Sequence, residues 1–562
     1  MSVLVAESKQ QIEKILKDAA QKAISAGALC EAELPPFKVE VPADRKNGDY
    51  AVNAAMVWAR SFKSNPRAIA ETLMANADLS DTFIEKYEIA GPGFINFFLS
   101  DKYYANIVSD VIEKGDSYGK SNYGEGKRVL VEFVSANPTG PMHIGNARGG
   151  ALGDCLAAVM SAAGYYTERE FYINDAGNQI NKFGLSLDLR YQQIYADGIE
   201  MPEDSYHGDD IIAHAKAFAE LNGDKYMNCT EQERRKALID FALPKNIQGL
   251  KDDLRKYRIE YNTWFKESTL HQNGEVDRVI ELLKQSGHTY TEEGALWFKA
   301  TDFGCDKDFV LVRANGVPTY VVPDIAYHYN KLEVRKFDKA IDVLGADHHG
   351  YVPRLKAALT ALGVDADRLD VVLMQMVRLV RDGEVIKASK RSGKAITLVT
   401  LLDEVPIDAA RFFFNLREPN SHFDFDLDLA VSESNSNPVF YVQYAYARIC
   451  SILRNLAEEG IERRDCTSGE LELLNAPEER ELIIHISALT DEIIQSAKTY
   501  DPARLTHYVN ELATKFHKFY AVCRVKGEDE ALTQARLNLC YATGVVIKNV
   551  LDMLKITAPE KM

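Results

Sequence analysis

The chain of 562 residues carries 66 Lys and Arg against 83 Asp and Glu, a formal net charge of −17, and 46% of its residues are hydrophobic. This length predicts three or four domains of about 150 residues each, and the composition excludes a disordered or fibrous chain. The lack of an apolar run of about 18 residues argues against a membrane span, and the polar N-terminus argues against a signal peptide. Eight scattered cysteines without a CxxC pair indicate a reducing cytoplasm.

The first segment mixes helix and strand signals. Apolar spacing predicts a helix over residues 1–20, a second helix over 51–62, and a turn followed by a buried strand over 89–99. A glycine-rich, polar segment at 116–127 is typical of a domain boundary. We therefore expect an N-terminal α+β domain at 1–118.

The middle of the chain predicts a parallel sheet. A β-rich run at 128–134, a Gly/Pro loop, a small-residue helix after Gly145 and a strand at 170–173 form a βαβ unit. Charged helical sequence near 184–290 interrupts this pattern and predicts an insertion. Strand-like segments resume at 309–312, 319–322, 340–344 and 371–374, which gives an α/β domain at 119–404.

From residue 405 to 562 the pattern is helical with almost no glycine, which predicts an all-α C-terminal bundle. Tyr441, Tyr444 and Tyr446 lie early in this domain. They could stack on unpaired bases, and their spacing on a helix is equally compatible with a place in the core.

The segment 136–146 (ANPTGPMHIGN) joins the first β-rich run to the helix that follows it. Such loops bind ligands at the carboxyl ends of parallel strands. Gly140 and Gly145 permit close approach of a nucleotide, the helix N-terminus offers N–H groups to phosphate, and His143 can stabilise growing phosphoryl charge. The alternative is a rigid turn that caps a helix.

A basic loop lies about 240 residues downstream. Between Arg378 and Lys394 there are six Lys and Arg and two acids, a local charge of +4. The loop could be a solvated surface segment. It could also place ammonium groups against a departing pyrophosphate.

Two further motifs leave alternatives open. In YVVPDIAYH (320–328), Tyr320 could be a core residue and Asp324 a helix N-cap. The segment GADHHG (345–350) follows a predicted strand and resembles the motif of metal-dependent phosphoesterases, but those enzymes need further aspartate ligands from earlier strands. The first hundred residues offer no matching set.

NPTGPMHIGN resembles the first signature of class I aminoacyl-tRNA synthetases in its arginyl version, with Asn146 in place of the usual histidine. VIKASK (385–390) resembles the second signature, with Ala388 in place of methionine, and Asp408–Arg411 (DAAR) is similar to the pattern that names the anticodon-binding domain. Over nearly its whole length the chain therefore resembles the arginyl-tRNA synthetase family.

The resemblance implies a Rossmann-like catalytic domain between an N-terminal domain that touches the tRNA elbow and a C-terminal anticodon-binding bundle. It implies ATP-dependent activation of L-arginine and transfer of the arginyl group to tRNA(Arg), with Mg²⁺ on the nucleotide, no dedicated protein metal site and no membrane partner, in a cytoplasmic monomer. A phosphoesterase and a non-catalytic tRNA-binding relative remain as alternatives.

The resemblance also implies a set of site residues. The expected catalytic residues are His143, Lys387 and Lys390. The expected ATP ligands are Pro138, Gly140, His143, Gly145, Asn146, Lys387, Ser389 and Lys390. The expected arginine ligands are Glu132, Ser135, Asn137, Tyr320, Asp324 and His348. The expected tRNA contacts are Tyr441, Tyr444 and Arg448.

Overall fold

The computed structural model describes residues 3–42, 44–386 and 396–562. Helices and strands are numbered in chain order. The N-terminal elements are α1 (Val3–Ser25), β1 (Val39–Glu40), β2 (Tyr50–Val52), α2 (Ala54–Phe62), α3 (Pro66–Asn76), β3 (Ile84–Ala90), β4 (Phe94–Leu99) and α4 (Asp101–Lys114). The strands form an antiparallel sheet in the order β1-β2-β4-β3. A side chain at Gly48 (φ 92°) would lie 2.6 Å from the Phe97 carbonyl oxygen, so the turn into β2 requires glycine.

The central elements begin with the predicted βαβ unit. They are β5 (Arg128–Phe133), α5 (Ile144–Ala162), β6 (Tyr166–Ile173), α6 (Gly177–Tyr195), α7 (Asp209–Asn222), α8 (Glu231–Lys256), β7 (Thr263–Lys266), α9 (Glu267–Gln272), α10 (Glu275–Gln285), β8 (Thr289–Glu292), β9 (Ala295–Phe298), β10 (Phe309–Val312), α11 (Val321–Tyr329), β11 (Lys339–Gly345), α12 (Val352–Ala361), β12 (Leu369–Met374), β13 (Val377–Arg381), β14 (Glu384–Val385) and α13 (Leu398–Glu404).

A parallel five-stranded sheet in the order β12-β11-β5-β6-β7 organises this part of the chain. The chain runs from β5 outward to β7 and then returns to the other side of β5 with β11. The strand order therefore reverses between β5 and β11, and ligands bind outside the carboxyl ends of strands at such a point. Helix α5 packs closely against β5 at Gly153. A Cβ atom there would overlap Phe133 Cγ, so this close approach requires glycine.

The C-terminal elements are mostly helices. They are α14 (Ile407–Phe414), β15 (Phe423–Asp426), α15 (Leu427–Val431), α16 (Pro438–Glu458), α17 (Ser468–Leu471), α18 (Pro477–Ser487), α19 (Leu489–Thr499), α20 (Ala503–Val522) and α21 (Glu530–Leu554). By length and composition α21 could cross a membrane, but 72% of its most apolar window is buried inside the protein, as in the core helix of a bundle. The parallel sheet between an α+β unit and a helical bundle confirms the predicted fold class.

Several predicted elements need correction. The interruption of the sheet is shorter than 184–290, because β7 pairs with β6 in the central sheet. Residues 319–322 are not a strand. Val321 begins α11, whose first turn accommodates Pro323. β8, β9 and β10 form a separate antiparallel sheet, and β15 pairs with β13 within a region predicted to be entirely helical. The helix predicted from residue 51 begins at Ala54, because residues 50–52 form β2.

Candidate active site

The loop after β5 begins with an unusual backbone. Val134 (φ 69°) and Ser135 (φ 41°) both lie in the left-handed region, which costs roughly 1–3 kcal/mol for each non-glycine residue and clusters at functional sites. This bend turns the Ser135 hydroxyl back toward the sheet, where it donates to Glu132 Oε1 at 2.8 Å and accepts the Tyr172 N–H at 3.1 Å. Glu132 itself is almost completely buried.

His143 stands exposed at the N-terminus of α5. Its backbone N–H donates to Asn146 Oδ1 at 3.1 Å, so the unusual fourth residue of the signature caps the helix with its oxygen and keeps its amide N–H₂ for other partners. Gly145 lies in the exposed first turn with open space beside it. The positive end of the helix dipole at this turn favours a phosphate group.

A cavity of about 490 Å³ opens over this loop. The helical segment that interrupts the sheet forms part of the cavity wall through Tyr206, Gly208 and Asp210. This segment is joined to the loop by a hydrogen bond of 3.0 Å from Asn246 Nδ2 on α8 to the Pro138 carbonyl oxygen. Its lining includes Ser135, Asn137, Gly140, His143, Asn146, Tyr206, Gly208 and Asp210.

The expected ligands Lys387, Ser389 and Lys390 lie outside the described residues. The described chain that follows them runs beside His143. The Ile144 N–H donates to the Ile396 carbonyl oxygen at 3.1 Å, and the Leu398 N–H donates to the Met142 carbonyl oxygen at 2.9 Å. Backbone hydrogen bonds on both sides of His143 therefore join the first signature to the chain that follows the second.

A second cavity of about 750 Å³ lies between β6, α9 and α11, and its lining includes Tyr172, Glu267, Tyr320 and Asp324. Asp324 Oδ2 accepts the Tyr351 hydroxyl at 2.6 Å, and burial raises the pKa of Asp324 to about 6. Tyr320 is 70% exposed and stacks on Tyr351 with 6.0 Å between ring centroids. Tyr320 is thus no core residue, and Asp324 lies inside the first turn of α11 and is not its N-cap.

The two cavities are connected through the start of the signature loop. Ser135 lines the first cavity, and Tyr172, whose N–H donates to Ser135, lines the second. His348 lies apart from both sets of lining residues, with 48% of its side chain exposed.

Sequence reasoning missed two charged residues of this region. Glu267 is nearly buried at the start of α9 and lines the larger cavity. It directly follows β7, and the position after a parallel strand would have indicated it had β7 been predicted. Lys331 lies in a π-helical turn (Asn330–Val334) after α11, fully buried against Glu132 and Asp342. No signal in the sequence distinguishes it from a surface lysine.

Glu132, His328 and Asp342 offer three potential metal-ligand atoms within 4.8 Å of one another. The Lys331 ammonium already contacts both carboxylates, at 2.5 Å and 2.8 Å. An ammonium group therefore holds the position that a cation would need.

The three predicted tRNA contacts lie on α16 within an aromatic cluster. Arg448 donates to the Tyr444 hydroxyl at 2.6 Å and stacks over that ring, and it also contacts His517 and Tyr520 of α20. Tyr441 and Tyr446 both pack against the core, and Tyr441 also lies against His517 with 4.9 Å between ring centroids. Tyr441 and Tyr444 therefore share the face that carries Arg448, and Tyr446 lies apart from it.

Three family models match consecutive parts of the chain. Residues 9–99 match the arginyl tRNA synthetase N-terminal domain, residues 107–426 match the class I (R) tRNA synthetase catalytic domain, and residues 442–562 match the DALR anticodon-binding domain. Arginine–tRNA ligases of Acetivibrio thermocellus and Caldanaerobacter subterraneus are 52% and 53% identical to this chain, with both chains covered completely.

The chain belongs to the arginyl-tRNA synthetase family. Its activity is arginine–tRNA ligation, in which L-arginine and ATP give arginyl-adenylate and pyrophosphate and the arginyl group passes to the 3′-terminal adenosine of tRNA(Arg). The fold agrees with this membership, because the arginyl-tRNA synthetase of Thermus thermophilus superimposes with a TM-score of 0.75 at 23% identity over 99% of this chain. The phosphoesterase interpretation of GADHHG is wrong, and the chain is not a non-catalytic relative.

Proposed function

We propose that the larger cavity holds the arginine side chain and the smaller cavity holds the ATP phosphates. The observation that carries this division is the pair of acids Asp324 and Glu267 in the larger cavity. Carboxylates match the planar guanidinium group, and the open ring of Tyr320 covers the aliphatic part of the side chain. Glu132, Ser135 and Asn137 then bind the α-amino and carboxyl end, where the two cavities are connected.

On the nucleotide side, Pro138, Gly140, Gly145 and Asn146 shape the loop around the phosphates, and His143 donates to the α-phosphate as its charge grows. Lys387, Ser389 and Lys390 bind the departing pyrophosphate together with Mg²⁺, which enters with ATP. The exposed position of His143 at a helix N-terminus supports this role, because phosphoryl chemistry depends on positioning and charge neutralisation. His348 lines neither cavity and is proposed to meet arginine only once the substrates are bound.

Replacing His143 with alanine tests this proposal. We expect the rate of arginine-dependent ATP–pyrophosphate exchange, measured with tRNA present, to fall by about 10²–10³-fold, with tRNA affinity unchanged. His207→Ala is the matched control, because His207 is also exposed and adjoins lining residues Tyr206 and Gly208. Equal losses of exchange and tRNA affinity in His143→Ala would contradict the assignment.

We also propose that the chain works as a cytoplasmic monomer with domains at 1–118, 119–404 and 405–562, without a membrane partner. Its eight free cysteines and its acidic surface support a reducing, aqueous compartment. Light scattering of the purified chain at micromolar concentration tests the monomer, and a mass of twice 62.9 kDa would refute it.

A further inference from the structure

Three acids lie side by side across the central sheet. Asp342 on β11 is the register partner of Glu132 on β5, and Glu132 is the register partner of Glu170 on β6. All three are buried. Adjacent buried carboxylates repel one another and are costly unless cations compensate them.

One short segment supplies the compensating cations. Arg335 pairs with Glu170 through contacts of 2.6 Å and 2.9 Å. Lys331, which has no exposed side-chain surface, bridges Glu132 and Asp342. Lys331 lies in the π-helical turn that directly follows α11, the helix that carries Asp324. Such turns are frequent at functional sites.

His328 also contacts this cluster. Its Nδ1 lies 2.7 Å from the Asp324 carbonyl oxygen and its Nε2 lies 2.6 Å from Asp342 Oδ2. Burial raises the pKa of Asp342, but Lys331 and His328 outweigh it and bring that pKa below its ordinary value.

We infer that Lys331 is a positioning residue for arginine binding, which holds the Glu132 carboxylate in the orientation that meets the substrate's α-ammonium group. This inference rests on the proposed role of Glu132. Lys331 fixes one carboxylate oxygen of Glu132 and the Ser135 hydroxyl fixes the other, so the plane of the carboxylate is set before the substrate arrives. Such preorganisation lowers the cost of binding.

Removal of Lys331 leaves Glu132 beside Asp342 with one cation fewer. Repulsion between the two buried carboxylates then displaces Glu132 from its orientation, which weakens its pairing with an ammonium group. The titratable and charged groups that face Glu132 or its immediate partners are Asp342 on β11, Glu170 and Tyr172 on β6, Tyr261 before β7, Asp324, Tyr327 and His328 on α11, and Lys331 and Arg335 after it.

The test compares Lys331→Met with Arg335→Met in tRNA aminoacylation. The control removes a cation from the same segment that is partly exposed and pairs with Glu170 instead of Glu132. We expect Lys331→Met to raise the KM for arginine by about 10–100-fold, a change of one to two powers of ten in affinity, with the KM for ATP nearly unchanged. Lys331→Arg keeps a cation at this position and should restore the wild-type arginine KM. Arg335→Met should leave the arginine KM near the wild-type value.

The Glu132→Gln variant distinguishes an effect of Lys331 that acts through Glu132 from an effect that is independent of Glu132. If Lys331 acts through Glu132, adding Lys331→Met to Glu132→Gln produces no further rise in arginine KM, and this double variant removes both charges together, which spares the fold. Additive losses, or equal behaviour of Lys331→Met and Arg335→Met, would overturn the inference alone. An unchanged arginine KM in Glu132→Gln would overturn the proposed role of Glu132 as well.

Discussion

Asp324 is a buried titratable group in the lining of the larger cavity. Burial raises its pKa to about 6, while the hydrogen bond from the Tyr351 hydroxyl lowers it. A guanidinium group pairs with the ionised carboxylate only. Binding of arginine is therefore strongest above pH 6 and weakens as pH falls through the pKa.

We predict that the KM for arginine rises about tenfold per pH unit below about pH 6, as expected for one required carboxylate. Tyr351→Phe removes the stabilising hydroxyl, so the pKa of Asp324 rises further and the acid limb moves toward neutral pH. Steady-state aminoacylation between pH 5 and 8 measures both effects, with the KM for ATP as the internal control. An acid limb at the same pH in the wild type and Tyr351→Phe would contradict this role of Asp324.

At the scale of residues, the resemblance of motifs named His143, Tyr320 and Asp324 as site residues, and the structure places Tyr320 and Asp324 in the lining of one cavity. It could not predict Lys331, because a lysine in the charged sequence NKLEVRK is typical of a solvated surface. Only the register of β5 with β11 places two carboxylates side by side and creates the need for a buried cation. Pairing between distant strands is the information that one sequence lacks.

Among the elements, α5 carries the first signature and also a buried arginine, Arg148, that links it to distant parts of the chain. Arg148 has no exposed surface, and its guanidinium donates to the backbone carbonyl oxygens of Gln375, Glu418 and Ser421 at 2.7–3.1 Å. Burial lowers its pKa to about 10. Gln375 precedes β13, so this one side chain ties the helix of the first signature to the hairpin that leads into the second.

We predict that Arg148→Lys lowers the free energy of unfolding by about 2–4 kcal/mol, because a single ammonium leaves buried carbonyl groups unsatisfied. The thermal midpoint and the rate of ATP–pyrophosphate exchange should fall together. Arg378→Lys is the matched control on β13, where the exposed pair with Asp424 is worth less than about 1 kcal/mol. Equal free energies of unfolding in the two variants would contradict this structural role of Arg148.

Long helices with regular apolar spacing were predictable from the sequence. Short strands that lie between helices were not. Helix α1 covers most of the helix predicted over residues 1–20, and α5 follows the loop after β5 as predicted. The four residues of β7 lie between charged helices and gain their strand conformation from pairing with β6. Likewise Phe423–Asp426 becomes a strand by pairing with β13. In both cases tertiary contacts decide the conformation.

At the scale of the whole molecule, a buried arginine connects the C-terminal helices to the helix that begins at His143. Arg411 on α14 donates to Asp154 Oδ2 on α5 at 2.6 Å, to the Leu554 carbonyl oxygen at the end of α21 at 2.8 Å and to the Tyr257 carbonyl oxygen at 3.0 Å. These bonds form a physical route between the anticodon-binding helices and the signature loop.

We predict that Arg411→Lys reduces tRNA-stimulated ATP–pyrophosphate exchange by about 5–150-fold, the range of typical coupling free energies, while tRNA affinity stays close to wild type. Arg169→Lys is the matched control, because Arg169 binds the same Asp154 but does so from β6. If both variants lose stimulation equally, the effect belongs to Asp154 and α5, and no coupling through α14 need be invoked.

The net charge of −17 excludes little about tRNA binding, because the phosphate backbone meets local surfaces. Residues 498–561 carry ten Lys and Arg against seven acids, and Arg448 lies on the α16 face that packs against α20.

We expect Arg448→Gln to reduce the slope of log affinity against log salt by about 0.7, the value for one phosphate contact in a single strand. Tyr444→Ala should weaken tRNA binding by about 1–3 kcal/mol with the slope unchanged, since stacking releases no counterions. Filter binding between 50 and 200 mM salt, the range over which such slopes are read, measures both. An unchanged slope in Arg448→Gln, or an unchanged affinity in Tyr444→Ala, would contradict the predicted tRNA contacts of these residues.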